Sequence, residues 1–156
     1  MIGNIKIIAV CMCKVYDERN YRIIRALNNF AVENDYRLFV YHTCSDLYWK
    51  TLSEKGEQSV FDLIDYNITD AVVTFEEGVY AENVMAKIRM DAAKYGKPVI
   101  SVGVEHDDCI SIKFDYAKGF EQVVRHVIEQ HGVRDIGFIA SRKDEENSEE
   151  RIAVFR

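Results

Sequence analysis

"KIIAVCMCKVYDERNYRIIRAL", Lys6 to Leu27, joins an apolar run to an amphipathic stretch without a glycine between them. The run up to Cys13 is continuous rather than alternating, the pattern of a strand buried on both faces of a parallel sheet. Further on the period changes, and Ile23, Ile24, Leu27, Phe30 and Ala31 fall on one stripe of a helix. A dinucleotide-binding fold would place Gly-x-Gly-x-x-Gly at such a junction, so that backbone can approach a pyrophosphate. Here stands "CKVYDERNY", with charges and two tyrosines, and a P-loop is equally absent. The junction opens an α/β fold that has no phosphate to cradle.

The same alternation recurs along the chain. Apolar runs bounded by turn residues cover Ile5–Cys13, Leu38–His42, Ala71–Phe75, Pro98–Val104, Ile110–Phe114 and Ile136–Ala140. Between them lie helical stripes: Val60, Phe61 and Ile64; Val84, Met85 and Ile88; and Phe120, Val123, Val124, Val127 and Ile128. Strand alternating with helix predicts a three-layer α/β fold, a mainly parallel sheet of about six strands with helices on both faces, flavodoxin- or Rossmann-like in topology. Pro98 follows Gly96 at the start of a strand, where a missing donor is tolerated. "KDEENSEE", Lys143 to Glu150, reads as a polar loop that leads into a final helix at "ERIAVFR". Residues 1–142 are expected to form one lobe, and 143–156 a loop and the start of a helix, cut before a second lobe.

Composition narrows the function classes. The chain has 156 residues, one domain by length, with 48% hydrophobic and 29% charged residues, as in a globular protein. Its formal net charge is -6 and no basic run stands out, which argues against a nucleic-acid surface. No apolar run approaches the ~18 residues of a membrane span. Lys14, Asp17 and Glu18 follow the first apolar run at once, unlike a signal peptide, and the expected location is the cytoplasm. Of the four cysteines, Cys11 and Cys13 alternate on one strand and point to one face; Cys44 and Cys109 stand alone. They read as free thiols packed as small hydrophobes, and no metal or cofactor is expected.

In open sheets of this kind, ligands bind beyond the carboxyl ends of the strands, where the strand order reverses. The loops that share this edge are the opening junction, "HTCSD" (His42–Asp46), "FEEG" (Phe75–Gly78), "GVEHDD" (Gly103–Asp108) and "SRKDEEN" (Ser141–Asn147). Their hydroxyls, carboxylates and two histidines suit a polar small molecule, sugar-like or amine-bearing. Candidate contacts at this edge are Tyr16, Asp17, Tyr21, Thr43, Asp46 and Glu76. Bland alternatives stand beside them: Asp46 as a turn residue, Glu76 and Glu77 as a solvated acidic pair, Arg151 as a salt-bridged helix residue. His42 and His106 could meet at the cleft edge, though no positioned carboxylate marks a catalytic or metal role.

The order of "DYRLFVYHTCSD", "ITDAVVTF", "YGKPVISVG", "SIKFDYAKGF", "EQHGVRDIGFIA" and "SEERIAVFR" resembles the type I periplasmic-binding-protein fold. More closely it is similar to the first lobe of the effector-binding core of lac-repressor-like proteins. The resemblance implies a non-catalytic sensor that clamps a small ligand between two lobes and pairs as a homodimer through helices along one side. The family's Asn-Pro-aromatic-aromatic run at the first junction is matched here by Asp17, Glu18, Arg19 and Asn20, so the stacking platform is either lost or passed to Tyr16 or Tyr21. Arg151 matches the arginine of the family's Arg-Leu-x-Gly-Phe, with Val154 in place of the glycine, and its fork suits hydroxyls or a carboxylate. Asp115 and Gly119 match an Asp-Asn-x-x-Gly segment, where Asp115 is expected to cap the next helix. Only "MIGN" precedes the first strand here; if Met1 is the true start, a conventional repressor with a helix-turn-helix ahead of that strand is not expected, and the resemblance brings to mind sensor regions placed ahead of GGDEF diguanylate cyclase domains.

Other readings stay open: the effector-binding part of a transcriptional regulator, a small free-standing enzyme using Cys13, His42 or the glutamate pair, or a dimerisation module of flavodoxin-like fold. A phosphoacceptor receiver fits poorly, because Phe75-Glu76 stands where its aspartate would be.

Overall fold

The computed structural model describes residues 5–77, 79–140 and 146–156, the side chain of Glu146 excepted. The strands are β1 (Lys6–Cys13), β2 (Tyr36–Thr43), β3 (Ala71–Phe75), β4 (Val99–Val102) and β5 (Ile110–Ile112). The helices are α1 (Glu18–Glu33), α2 (Leu52–Gln58), α3 (Glu82–Lys94), α4 (Tyr116–His131) and α5 (Glu146–Phe155), with a 3-10 turn over Ser59–Leu63. All five strands are parallel, in the order β2-β1-β3-β4-β5, so the direction of winding reverses between β1 and β3. Compactness divides the chain into Met1–Lys113, which holds the sheet, and Phe114–Arg156, which holds α4 and α5.

In the first unit the pleat explains the continuous apolar run. Ala9, Cys11 and Cys13 point to one face of β1 and join Val72 and Val99 from neighbouring strands. There they pack under Phe61 and Ile64 and under Met85, Ile88 and Ala92 of α3. Val10 and Met12 point the other way, with Val73, and meet Ile24 of α1. Successive side chains of a strand alternate between faces, so a strand covered on both sides needs apolar residues at every position. Cys11 and Cys13 are free thiols in the core, with burial pushing Cys13 up to about 11.

Expectation and structure differ at several places. β2 begins at Tyr36, two residues early, because its outer positions alternate in exposure as suits an edge strand. Phe30, on the expected stripe of α1, is exposed. Val60, Phe61 and Ile64 lie on and just beyond a 3-10 turn rather than on a full helix, although Phe61 and Ile64 are buried as the stripe requires.

The sheet has five strands among the described residues, not about six. Ile136–Ala140 forms no strand. Its apolar character goes instead to an aromatic cluster of the second unit, in which Phe138 lies 4.9 Å from Phe120 and 5.3 Å from Phe155. The final helix also starts earlier than expected, at Glu146, so the part of "KDEENSEE" from Glu146 on is helical; residues 143–145 lie outside the described residues. As expected, the Asp115 carboxylate accepts the Lys118 N–H at 2.8 Å to cap α4, and Gly132 closes that helix at φ 66. None of the described helices is long and apolar enough to cross a membrane.

Candidate functional site

The carboxyl ends of β1 and β2 lie side by side, with Cys13 opposite Thr43. Past them the backbone turns sharply: Lys14 adopts φ 48, and its N–H donates to the Thr43 carbonyl at 2.8 Å. Asn20, on the first turn of α1, reaches back to donate to the carbonyls of Cys13 and Lys14 at 3.0 and 3.1 Å. These bonds satisfy backbone carbonyls and one N–H at the strand end.

Above this junction Lys14 Nζ bonds Asp46 Oδ2 at 2.9 Å, and the Asp46 carboxylate holds the lysine above its ordinary range. The Tyr16 hydroxyl donates to the Cys44 carbonyl at 3.0 Å, and its ring lies edge-on to His42 at 6.1 Å. The loop after β2 is held from its far side by Glu57, whose Oε2 accepts from the Cys44 and Ser45 N–H groups at 2.7 and 2.9 Å. Leu47, at φ 62 and fully buried, anchors the same loop in the core. The Tyr80 N–H donates to the Asp46 carbonyl at 3.1 Å, which ties this loop to the one after β3. Tyr48 stands edge-on to both Trp49 and Tyr80, at 4.6 and 5.2 Å. The result is a rim of polar groups and exposed rings around the point where the strand order reverses.

Beneath the rim, at the ends of β3 and β4, lies a buried charge network. Glu76 is 4% exposed and Arg89, on α3, is 7% exposed. Arg89 Nη1 donates to both oxygens of Glu76 at 3.0 and 2.9 Å, while Nη2 donates to Glu82 at 2.8 Å. The Thr74 hydroxyl donates to Glu76 Oε1 at 2.7 Å, and His106 Nε2 lies 2.9 Å from Glu76 Oε2. Ligand atoms of Glu76, Glu82 and His106 lie within 4.8 Å of one another, a set able to ligate a cation. Arg89 already supplies that cation, with Nη1 also 2.9 Å from His106 Nε2. Next to the network, Gly103 at φ 102 lets the loop after β4 press against Glu77; a Cβ there would lie 2.6 Å from the Glu77 Cβ.

Of the expected contacts, Tyr16 and Asp46 come together on the rim, with Asp17 exposed beside them at the N-cap position of α1. Tyr21, one turn into α1, is 57% exposed. Thr43 and Glu76 are both buried, their polar groups turned inward. The Thr43 hydroxyl lies 2.6 Å from the Ser45 carbonyl and 3.0 Å from Cys13 Sγ. Glu76 and Glu77 are not a solvated pair, since Glu77 bonds Arg19 at 2.7 Å. His42 and His106 do not meet, because β1 and β3 run between their strands. Arg151 belongs to the second unit, where its Nε donates to the Asn147 carbonyl at 2.9 Å and its guanidinium lies 5.9 Å from the Tyr116 ring centre.

Lys14, Asn20, Glu57 and Arg89 escaped the sequence reading. For Arg89 there was a signal: it sits beside Ile88 and between Met85 and Ala92, all buried on α3, where a charge demands a buried partner.

No described protein family matches the sequence, and no curated protein does. Solved structures share the fold. The LacI family transcriptional regulator CCPA from Weissella paramesenteroides, with bound glucose, superposes with a TM-score of 0.70 at 13% identity, over 96% of this chain and 53% of that one. A periplasmic binding protein/LacI transcriptional regulator from Alkaliphilus metalliredigens, complexed with D-xylulofuranose, gives 0.65 at 17% identity, over 96% and 50%. The lac repressor dimer bound to operator and an anti-inducer gives 0.65 at 11% identity, over 98% and 43%. The chain thus spans about half the length of the proteins whose fold it shares.

Proposed function

We propose that this chain is a ligand-sensing lobe without chemistry of its own, which holds a polar, sugar-like or amine-bearing small molecule against the rim formed by the loops after β1, β2 and β3. The observation that carries the reading is the paired arrangement of Lys14 with Asp46 and Tyr16 with Cys44 at the reversal of strand order. Open α/β sheets bind ligands at that point, and here Asn20 braces the turn by donating to the Cys13 carbonyl. Tyr16, Asp17, Asp46 and Tyr21 are the proposed contacts of the rim, with Thr43 and Glu76 in support beneath them. Residues 1–142 form the lobe in this reading and 143–156 lead toward a second one.

The wider setting is part of the same proposal: a cytoplasmic homodimer whose sensor does not itself touch nucleic acid or membrane, governing a GGDEF diguanylate cyclase output. The bound sugars of two structures with this fold favour a sugar-like ligand, and the regulators among those structures favour a second reading, the effector-binding part of a transcriptional regulator.

The test is calorimetry on the full-length protein with D-glucose, D-xylose, D-ribose, putrescine and spermidine. At least one is expected to bind, and Asp46→Asn to weaken it about tenfold or more, the loss of a hydrogen bond to a charged group. Binding that Asp46→Asn and Tyr16→Ala both leave unchanged, or no binding by any of the five, refutes the assignment.

A further inference from the structure

The second unit carries a pair of imidazoles that the sensor reading does not use. His126 and His131 both lie on α4, the second of them at its last position. Their Nε2 atoms are 3.2 Å apart, and the rings meet at 74° with centres 5.0 Å apart. Both residues are exposed, so neither ring is fixed by packing in the core. Two nitrogens that ligate one tetrahedral zinc at about 2.0–2.1 Å stand roughly 3.3 Å from each other. The observed separation is the bite of such a chelate.

We propose that His126 and His131 form a binding site for a divalent transition metal of the zinc, nickel or copper class. Neutral imidazoles whose Nε2 atoms face at this distance share one proton, with one ring donating and the other accepting. A metal ion takes the place of that shared proton, and the donor ring moves its own proton to Nδ1, so both Nε2 lone pairs are free to coordinate. The helix end favours the ion, because the last carbonyls of α4 present partial negative charge there. Gly132, in the left-handed conformation with its N–H on the Ile128 carbonyl, fixes the turn from which His131 projects. The arginine next to His126 in sequence, Arg125, is engaged by Glu121 and Glu129. The contrast with the Glu76, Glu82 and His106 set is direct, since there Arg89 fills the place a metal would take. Water completes the coordination, as in an open site.

The experiment is a calorimetric titration of the full-length protein with Zn²⁺ after treatment with a chelator, and Cu²⁺ electron paramagnetic resonance on the same samples. One ion per chain is expected at this site, with nitrogen hyperfine structure in the copper spectrum. His126→Ala or His131→Ala each removes the chelate and weakens that binding roughly a hundredfold. Alanine is the best helix former, so α4 is retained and circular dichroism checks it. Cys44→Ser, which removes an exposed thiol, leaves the site unchanged. Binding that survives the His126→Ala/His131→Ala double variant, or no binding by the unsubstituted protein at millimolar Zn²⁺, overturns the proposal.

Discussion

Replacing Arg89 with methionine isolates the buried charge network and tests whether it is as costly to break as its burial implies. The side chain is 7% exposed and its Nη1 bonds both oxygens of Glu76, whose side chain is 2% exposed. Without it the Glu76 carboxylate stays buried with only the Thr74 hydroxyl and the His106 ring facing it. Removing one partner of a buried ion pair costs about 3–5 kcal/mol. Glu82 and Asp108, the other acids near the guanidinium, are 67% and 62% exposed and are resolvated at little cost. For a chain of this size the loss corresponds to a fall in Tm of roughly 6–20 °C. Urea denaturation followed by fluorescence reads the affected unit alone, because the chain's one tryptophan, Trp49, lies within it. The decisive control is Arg89→Met with Glu76→Met. Replacing both charges by apolar groups is often nearly neutral, so the double variant is expected to recover most of the stability. If Arg89→Met melts within about 2 °C of the unsubstituted protein, or the double variant is no better than the single, the network does not carry the energy assigned to it.

Three further outcomes follow from the packing. Gly103→Ala puts a methyl 2.6 Å from the Glu77 Cβ and 2.9 Å from its backbone nitrogen, at φ 102. A loss of about 2 kcal/mol or more is expected in the same denaturation assay, and a change below about 0.5 kcal/mol would contradict the close approach. Burial pushes Cys13 from 9.0 up to about 11 and raises Cys11 as well. The unfolded chain therefore loses these protons first as pH rises, and stability present below pH 9 declines through pH 9 to 11 by up to about 1.4 kcal/mol per pH unit per thiol. Cys11→Ala/Cys13→Ala should flatten this alkaline slope; an unchanged slope would place its origin elsewhere. Cys44, the exposed thiol, should be alkylated in the native protein well before Cys11 and Cys13.

The fold was legible where one physical demand dominated the residue choice. β1 is apolar at successive positions because both faces are covered, and that pattern admits few other readings. Legibility failed where an apolar residue had more than one way to be buried. Phe138 reads as the centre of a sixth strand, yet it packs on Phe120 and Phe155, a pairing set by residues 18 positions before it and 17 after it. The rim followed from a topological rule, which is why Tyr16 and Asp46 were found. Arg89 was missed because its partner Glu76 is 13 residues away and on a different element.

The adjacent acids show most clearly what a linear reading of charge leaves out. Glu76 and Glu77 look like one acidic patch, but Glu76 goes inward to Arg89 and Glu77 goes to Arg19 on α1. Asp46, another acid of this edge, is matched by Lys14. These three acids are each neutralised by a cation drawn from α3, α1 or the end of β1, while Asp17, Glu105 and Asp107 stay exposed. This changes the ligand argument. A polyamine gains most where carboxylates stand unopposed, and at these three positions each has its own cation at 2.7–2.9 Å. A neutral, hydroxyl-bearing ligand can use both members of such a pair, donating to the carboxylate and accepting from the ammonium or guanidinium, without breaking it. Under the proposed sensor reading, the sugar-like arm of the ligand panel is therefore favoured over the amines. Tight binding of spermidine with no response to any sugar would show that the pairs open on binding and that this electrostatic argument is wrong.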